Sequence, residues 1–376
     1  MKNKNVALAF LLFFAVCPLQ AQNINELKSK ASDGNAHAQF NLAVCYANSN
    51  GVPQDYSQAV YWFTQAANQG LDSAQFYLGA CYYHGYGVTK DASQAVYWYT
   101  KAANNDYLDA QCNLGYCYDE GVGVTQDNNQ AIYWYTKAAN KGAADAQCNL
   151  GLCFFNTQNY TKAVYWFTKS AMQGISIAQL HLGFCYKNGW GIDKDEKQAF
   201  YWYSKSANQG NANAQNNLGN CYYGGYGVGQ DYQQAVYWYS KAANQGLAVA
   251  QYSLGNRYYS GTGIAKDKQQ AFYWWSKAAN QDYVEAQYNL GDCYCLGEGV
   301  DIDYQKAAYW YTKAANQGYA DAQFMLASCY AVGKGVTMDT QKAIYWVNKA
   351  QSQKSNLSPS NQKLLDDLIE LLQQNE

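Results

Sequence analysis

Read as apolar and polar positions, the chain falls into short segments in which apolar residues recur every third or fourth place, the spacing of an amphipathic helix. Ala74, Leu78, Cys81 and Tyr82 mark one such face, and Ala95, Tyr99, Ala102 and Ala103 mark the next. The two-segment unit then returns. An Ala-Gln pair opens it at Ala38, Ala74, Ala110, Ala146, Ala178, Ala214, Ala250, Ala286 and Ala322, a period of 36 residues shortened once to 32. A Tyr-Trp pair keeps the same register, with tryptophan at Trp62, Trp98, Trp134, Trp166, Trp202, Trp238, Trp274, Trp310 and Trp346. The pattern predicts nine copies of a two-helix unit.

Local signals set the helix ends. Asp55, Asp91, Asp127, Asn159, Asp195, Asp231, Asp267, Asp303 and Asp339 stand where a side-chain oxygen can accept from the free N–H groups of the second helix. In six copies a Gln follows three residues later, as in Asp91 to Gln94, which predicts a capping box. The second helix stops at Gly70, Gly142, Gly174, Gly210, Gly246 and Gly318, with Asp106 and Asp282 in two other copies. Between the helices a Gly-x-Gly loop closed by Val or Ile, such as Gly85 to Val88, predicts a tight reversal whose aliphatic residue returns to the core. No strand precedes these glycines, so they read as a turn rather than a phosphate cradle. Gly79 and Ala95 are placed where two helices approach closely. Each Trp is expected to pack on a neighbouring copy, so its burial is available only when copies stack.

The Leu-Gly-x-x-Tyr of the first helix, the Gly-x-Gly-Val loop, the Asp cap and the Tyr-Trp-Tyr/Phe-x-Lys-Ala-Ala of the second resemble Sel1-like repeats, longer-looped cousins of the tetratricopeptide repeat. The resemblance runs from residue 38 to about 353 and implies an all-α, right-handed superhelical α-solenoid. The repeats are expected at 38–73, 74–109, 110–145, 146–177, 178–213, 214–249, 250–285, 286–321 and 322–357. The fourth copy lacks the four-residue loop between Asn156 and Thr157. Residues 22–37 read as an N-terminal capping half-repeat. Residues 358–376 read as a capping helix whose Leu364, Leu365, Leu368, Leu371 and Leu372 form one apolar stripe. A dimerising helix is the other reading of that stripe.

The N-terminus adds an address. Lys2 and Lys4, an apolar run from Val6 to Val16, and Pro18, Leu19 and Ala21 have the layout of a secretory signal cleaved after residue 21. The run is about half the roughly 20 residues that span a bilayer, so no stable membrane span is expected. Lipidation at Cys17 is disfavoured by Val16, where a small residue is wanted. The chain is therefore expected to be exported, to the periplasm or beyond the cell.

Composition narrows the chemistry. Aromatic residues make up 16% of the chain, 38 of them tyrosine, and charged residues 14%, with a net charge of −2 and one arginine, Arg257. No basic stripe is present, so nucleic acid is not an expected partner. Eight cysteines share one repeat position: Cys45, Cys81, Cys117, Cys153, Cys185, Cys221, Cys293 and Cys329, with Arg257 in that place in the seventh copy. Equivalent positions on stacked copies should lie roughly 8–10 Å apart, beyond disulfide reach, so these cysteines read as small core filler. Cys112, Cys148 and Cys295 sit on other faces, and there a bond or a metal stays open. Cysteine-rich relatives of the family are described as bridged between helices and as β-lactamases or penicillin binders. Here the second helices carry no cysteine, and neither a nucleophile elbow nor His-Glu-x-x-His nor the Ser-x-x-Lys set is present, so no enzyme, metal or cofactor is expected.

Variable positions on one helix face are free to be shaped by a ligand. Positions 3, 7 and 10 of the first helix share a face, and the tetratricopeptide analogy makes it the concave groove. It carries Phe40, Phe76, Tyr83, Tyr116, Leu152, Phe155, Phe184, Tyr223, Tyr252, Tyr259 and Tyr288, with Asp119, Lys187, Asn216, Asn220, Asn256 and Asp292 among them. Aromatics with amides are a recognition vocabulary. The expected function is a scaffold that binds a protein or peptide there, with cell-wall glycan or muropeptide as the alternative ligand.

Overall fold

The computed structural model describes residues 24–373. The predicted signal and its Cys17 lie outside the described residues. Twenty α-helices and no strand are found among the described residues, and none of these helices is long and apolar enough to cross a membrane. The chain divides into two compact units, 1–194 and 195–376.

The first unit opens with α1 (Ile24–Ser32) and continues through four helix pairs: α2 (Ala36–Asn48) with α3 (Tyr56–Asn68), α4 (Asp72–His84) with α5 (Ala92–Asn104), α6 (Leu108–Glu120) with α7 (Asn128–Asn140), and α8 (Ala144–Asn156) with α9 (Tyr160–Met172). It ends on α10 (Ser176–Asn188). The second unit begins with α11 (Glu196–Asn208) and repeats the motif with α12 (Ala212–Gly224) and α13 (Tyr232–Asn244), α14 (Ala248–Ser260) and α15 (Lys268–Ala279), α16 (Val284–Leu296) and α17 (Tyr304–Asn316), and α18 (Ala320–Val332) and α19 (Thr340–Gln351). One 3-10 turn, Lys354–Asn356, leads into α20 (Pro359–Gln373). Each unit is thus a stretch of solenoid.

The predicted caps form. Asp91 accepts from the Gln94 backbone N–H at 3.0 Å, and its counterparts from Asp55 to Asp339 do the same. The reciprocal half of the capping box does not form. The Asp91 N–H donates instead to the Tyr82 carbonyl at 2.9 Å, and Asp127, Asp231, Asp267 and Asp303 repeat this with Tyr118, Tyr222, Tyr258 and Tyr294. That bond ties each second helix to the end of its first helix, so the cap donor is already satisfied. Exit residues Gly70, Asp106, Gly142, Gly174, Gly210, Gly246, Asp282 and Gly318 all hold positive φ.

The glycines of the loop do two jobs. Gly85 takes the left-handed C-cap of α4 at φ 81°, whereas Gly87 lies against the Tyr56 carbonyl at the start of the preceding second helix, where a Cβ would collide with backbone. The loop therefore rests on the previous copy as well as reversing the chain. In the fourth copy Thr157, Gln158 and Asn159 alone join α8 to α9, with Gln158 at φ 61°.

Stacking buries Trp98, Trp134, Trp166, Trp238 and Trp274 and leaves Trp62, Trp202, Trp310 and Trp346 half-buried. Trp98 joins Val60, Phe63, Leu78 and Cys81, and Trp274 joins Val236, Tyr239 and Leu254, so each joins residues of the preceding copy to those of its own. The Ala-Gln pair explains itself in the fold. Gln251 is buried, donates to the Ala243 carbonyl at 3.2 Å and accepts from Gln281 at 2.8 Å, thereby capping the end of the previous second helix. Gln39, Gln75, Gln111, Gln147, Gln179, Gln215, Gln287 and Gln323 make the same bond to an exit carbonyl.

The eight in-register cysteines are buried, and so are Cys112 and Cys148. Burial pushes the thiols of Cys81, Cys117, Cys185 and Cys293 up to about 12, which leaves them protonated and poorly nucleophilic near neutrality. At the far end Leu365, Leu368 and Leu372 pack on Phe324, Ala343 and Val347. Leu364 and Leu371 remain exposed, so the buried stripe of α20 is narrower than its leucines suggest. Buried Asp321 pins the start of α20, accepting from the Ser358 N–H and from Asn361 at 2.9 and 2.7 Å.

Candidate binding face

In the first unit most of the singled-out side chains are half-buried and packed against neighbouring rings. Phe40 packs on Phe63 and Tyr77 at 5.7 and 5.6 Å, and Phe76 on Tyr99 and Tyr107 at 5.8 and 5.3 Å. Phe155 sits among Tyr160, Phe167, His181 and Trp190, all within 6.2 Å. Phe184 lies 6.4 Å from the His181 ring. Burial and a hydrogen bond with Tyr116 drive the Tyr83 hydroxyl well above its usual range. Lys187 is exposed. Leu152 is fully buried and Asn216 nearly so, and both belong to the core rather than to a ligand face. Their repeat positions face solvent only where the neighbouring helix leaves room.

In the second unit a polar subset acquires structural duties. Asn220 accepts from the Tyr239 hydroxyl at 2.7 Å, Asn256 from the Trp275 indole at 3.0 Å, and Asp292 from the Tyr311 hydroxyl at 2.7 Å. Each satisfies the polar end of a large buried ring. Tyr252 and Tyr288 are half-buried against Tyr283 and Tyr319 at 5.1 and 5.3 Å. Tyr223 and Tyr259 stay 38% and 37% exposed, the most open tyrosines of the set.

Between α14 and α16 these residues border a cavity of about 340 Å³, lined by Asn256, Arg257, Tyr259 and Ser260 on one side and Asn289, Asp292, Cys293 and Leu296 on the other. Trp275 and Glu298 complete it. Its electrostatics are organised. Lys268 reaches Glu298 at 2.7 Å and holds that carboxyl low, with help from the Tyr259 hydroxyl. The same bond, with burial, raises Tyr259 to about 12. Burial lifts Asp292 to about 6 against the two tyrosine hydroxyls that donate to it.

Sequence patterning missed the role of Arg257. It replaces the core cysteine, lies over the Tyr223 ring at 4.1 Å, and keeps its Nε and Nη1 buried without hydrogen-bond partners. The signal was present, because a lone guanidinium at a position otherwise held by cysteine breaks the packing rule of the array. Of the seventeen side chains placed on the ligand face from the sequence, Asn256, Tyr259 and Asp292 line the cavity. Tyr223 lies behind it, under Arg257.

The Sel1 repeat matches this chain nine times, over residues 36–71, 72–107, 108–142, 144–175, 176–211, 212–247, 248–283, 284–319 and 320–354. The chain belongs to the Sel1 repeat family. In the Sel1 register each repeat begins at the first residue of a first helix, two positions ahead of the Ala-Gln pair. Two solved structures are similar over most of their length. One is a protective antigen of uropathogenic Escherichia coli with an SLR fold, at 31% identity and a TM-score of 0.59, covering 93% of this chain and 94% of that one. The other is a Sel1 repeat protein from Oxalobacter formigenes, at 32% identity and a TM-score of 0.65, covering 81% and 89%. No curated protein matches the chain. This Sel1 repeat protein is a scaffold of stacked helix pairs, an architecture consistent with protein interaction.

Proposed function

We propose that this Sel1 repeat protein is an exported, non-catalytic scaffold that binds a protein or peptide segment on the first-helix face of its second unit. The cavity between α14 and α16 carries the reading. It joins an apolar wall, Tyr259 and Leu296, to the Asn256 and Asn289 amides and the Arg257 guanidinium. A partly apolar pocket with a few polar groups on its wall suits a side chain of an incoming segment, the polar groups fixing its orientation. The Lys2, Lys4 and Val6 to Val16 pattern supports export.

Affinity purification from the native envelope should yield a polypeptide whose purified form binds the chain directly. Leu296 is 64% exposed, so Leu296→Glu should leave the helical melt unchanged. Leu296→Glu combined with Tyr259→Ala should weaken binding roughly tenfold or more, the effect of losing one anchor of a pocket. Unchanged affinity in the double variant would move the binding face elsewhere.

A further inference from the structure

The second helices carry an exposed feature that packing does not require. The tyrosine of every Tyr-Trp pair is 46–54% exposed, from Tyr61 to Tyr345, although its partner tryptophan is largely buried. In the second unit the rungs are Tyr201, Tyr237, Tyr273, Tyr309 and Tyr345, each edge-on to its tryptophan at 4.9–5.1 Å. A lysine one turn later lies over each ring: Lys241 is 4.7 Å from Tyr237 and 5.1 Å from Trp238, and Lys277 is 4.7 Å from Tyr273. Lys205, Lys313 and Lys349 repeat the arrangement at 5.6, 5.6 and 5.7 Å.

The helix positions that flank each tyrosine in the second unit contain no acid. Four residues before, four after and seven after the tyrosine, the second-unit helices carry only Lys, Gln, Asn and Ser, as in Gln233, Lys241 and Asn244. Lys313 reaches Asp282 at 3.8 Å, whereas Lys205, Lys241 and Lys277 have no carboxylate within salt-bridge distance among the described residues. Lysines that form no basic run along the sequence are thus brought by the repeat onto one face, cationic, aromatic and rich in amides, in a chain with a net charge of −2.

We infer that this stripe binds a linear polysaccharide bearing carboxylates, of the polyuronate class. Three observations point there. First, the rungs are chemically identical while the position four residues earlier varies from Ser93 to Asn129 to Thr161 to Gln233. A surface that repeats one group per copy suits a ligand that itself repeats, which a folded protein does not. Second, lysines free of carboxylate partners call for an anion. Third, the ammonium over each ring occupies the face on which a nucleobase would stack, and leaves the phenol hydroxyl, the ring edge and the amides for sugar hydroxyls and carboxylates. This surface is separate from the α14–α16 cavity, and either can fail alone.

Calorimetric titration of the full chain tests it, with short and long oligouronates, a neutral glucan of matched length, polyglutamate and oligo-dT as ligands. The long oligouronate should bind more tightly than the short one, and the neutral glucan, polyglutamate and oligo-dT should bind more weakly or not at all. Lys205→Gln, Lys241→Gln and Lys277→Gln together should weaken uronate binding roughly tenfold or more. Tyr237→Phe with Tyr273→Phe should weaken it less, and neither variant should shift the melt. Absence of uronate binding, equal affinity for polyglutamate or oligo-dT, or an unchanged affinity in the triple lysine variant would each overturn the inference. Binding of a polypeptide at the cavity should be unaffected by these substitutions.

Discussion

At the residue scale, one repeat position shows how a site is made from a structural part. Asn220 and Asn256 accept from a buried Tyr hydroxyl or Trp indole, and Asp292 does the same work in the next copy with a carboxylate. The neutral amide suffices for the bond, so the charge at Asp292 is an added cost of burial. With its folded pKa raised from 3.8 to about 6, this carboxyl holds its proton more tightly folded than unfolded. The stability linked to that proton is complete below the unfolded value and is lost as pH rises through about 6. Asp292→Asn should therefore melt above the parent at about pH 7, by roughly 2–4 °C for each kcal/mol gained, with the gap closing by about pH 4. Thermal melts of both proteins across that range check the sign. A gap that widens toward acid would contradict it.

At the element scale, the helix pairs are held by close approach. An ideal Cβ on Gly255 would lie 2.5 Å from Cδ1 of Trp275, and one on Gly115 would lie 2.6 Å from the Tyr135 ring. The ninth copy has Ala327 there and the smaller Val347 opposite. Gly255→Ala should cost about 1–3 kcal/mol through overpacking, visible in a denaturant titration, and Trp275→Val in the same chain should recover part of it. The helices, their aspartate caps, their positive-φ exits and the tryptophan packing were legible in the sequence, because each depends on neighbours a few residues away or one period away. The capping-box half that fails was not, because the Asp91 N–H is taken by Tyr82 across a loop. Nor was the reason for Ala-Gln, since the bond from Gln251 to Ala243 needs the stack to exist first. The ligand face was legible as a register but not as a surface. Position 7 supplies both the buried filler Leu152 and the acceptor Asn256, and position 10 both the half-buried Phe155 and the exposed Tyr259. Nearness to the neighbouring helix decides which side chain stays available. Arg257 was visible only as an exception.

At the scale of the whole molecule, nine near-identical copies present two different kinds of surface. The first helices vary between copies and, in the second unit, border a cavity whose wall is built from unlike residues. The second helices repeat one exposed tyrosine with little change. Variation suits a unique partner segment, and repetition suits a repeating one. The proposed seat of a polypeptide is the first-helix face around Leu296. A photo-crosslinking amino acid placed at Leu296 in the full chain, irradiated in the native envelope and followed by mass spectrometry, tests it most directly. An adduct with one predominant polypeptide is expected, lost when Tyr259→Ala is added. Adducts only with glycan, or no adduct at Leu296 while a probe at Tyr237 captures a polypeptide, would contradict it.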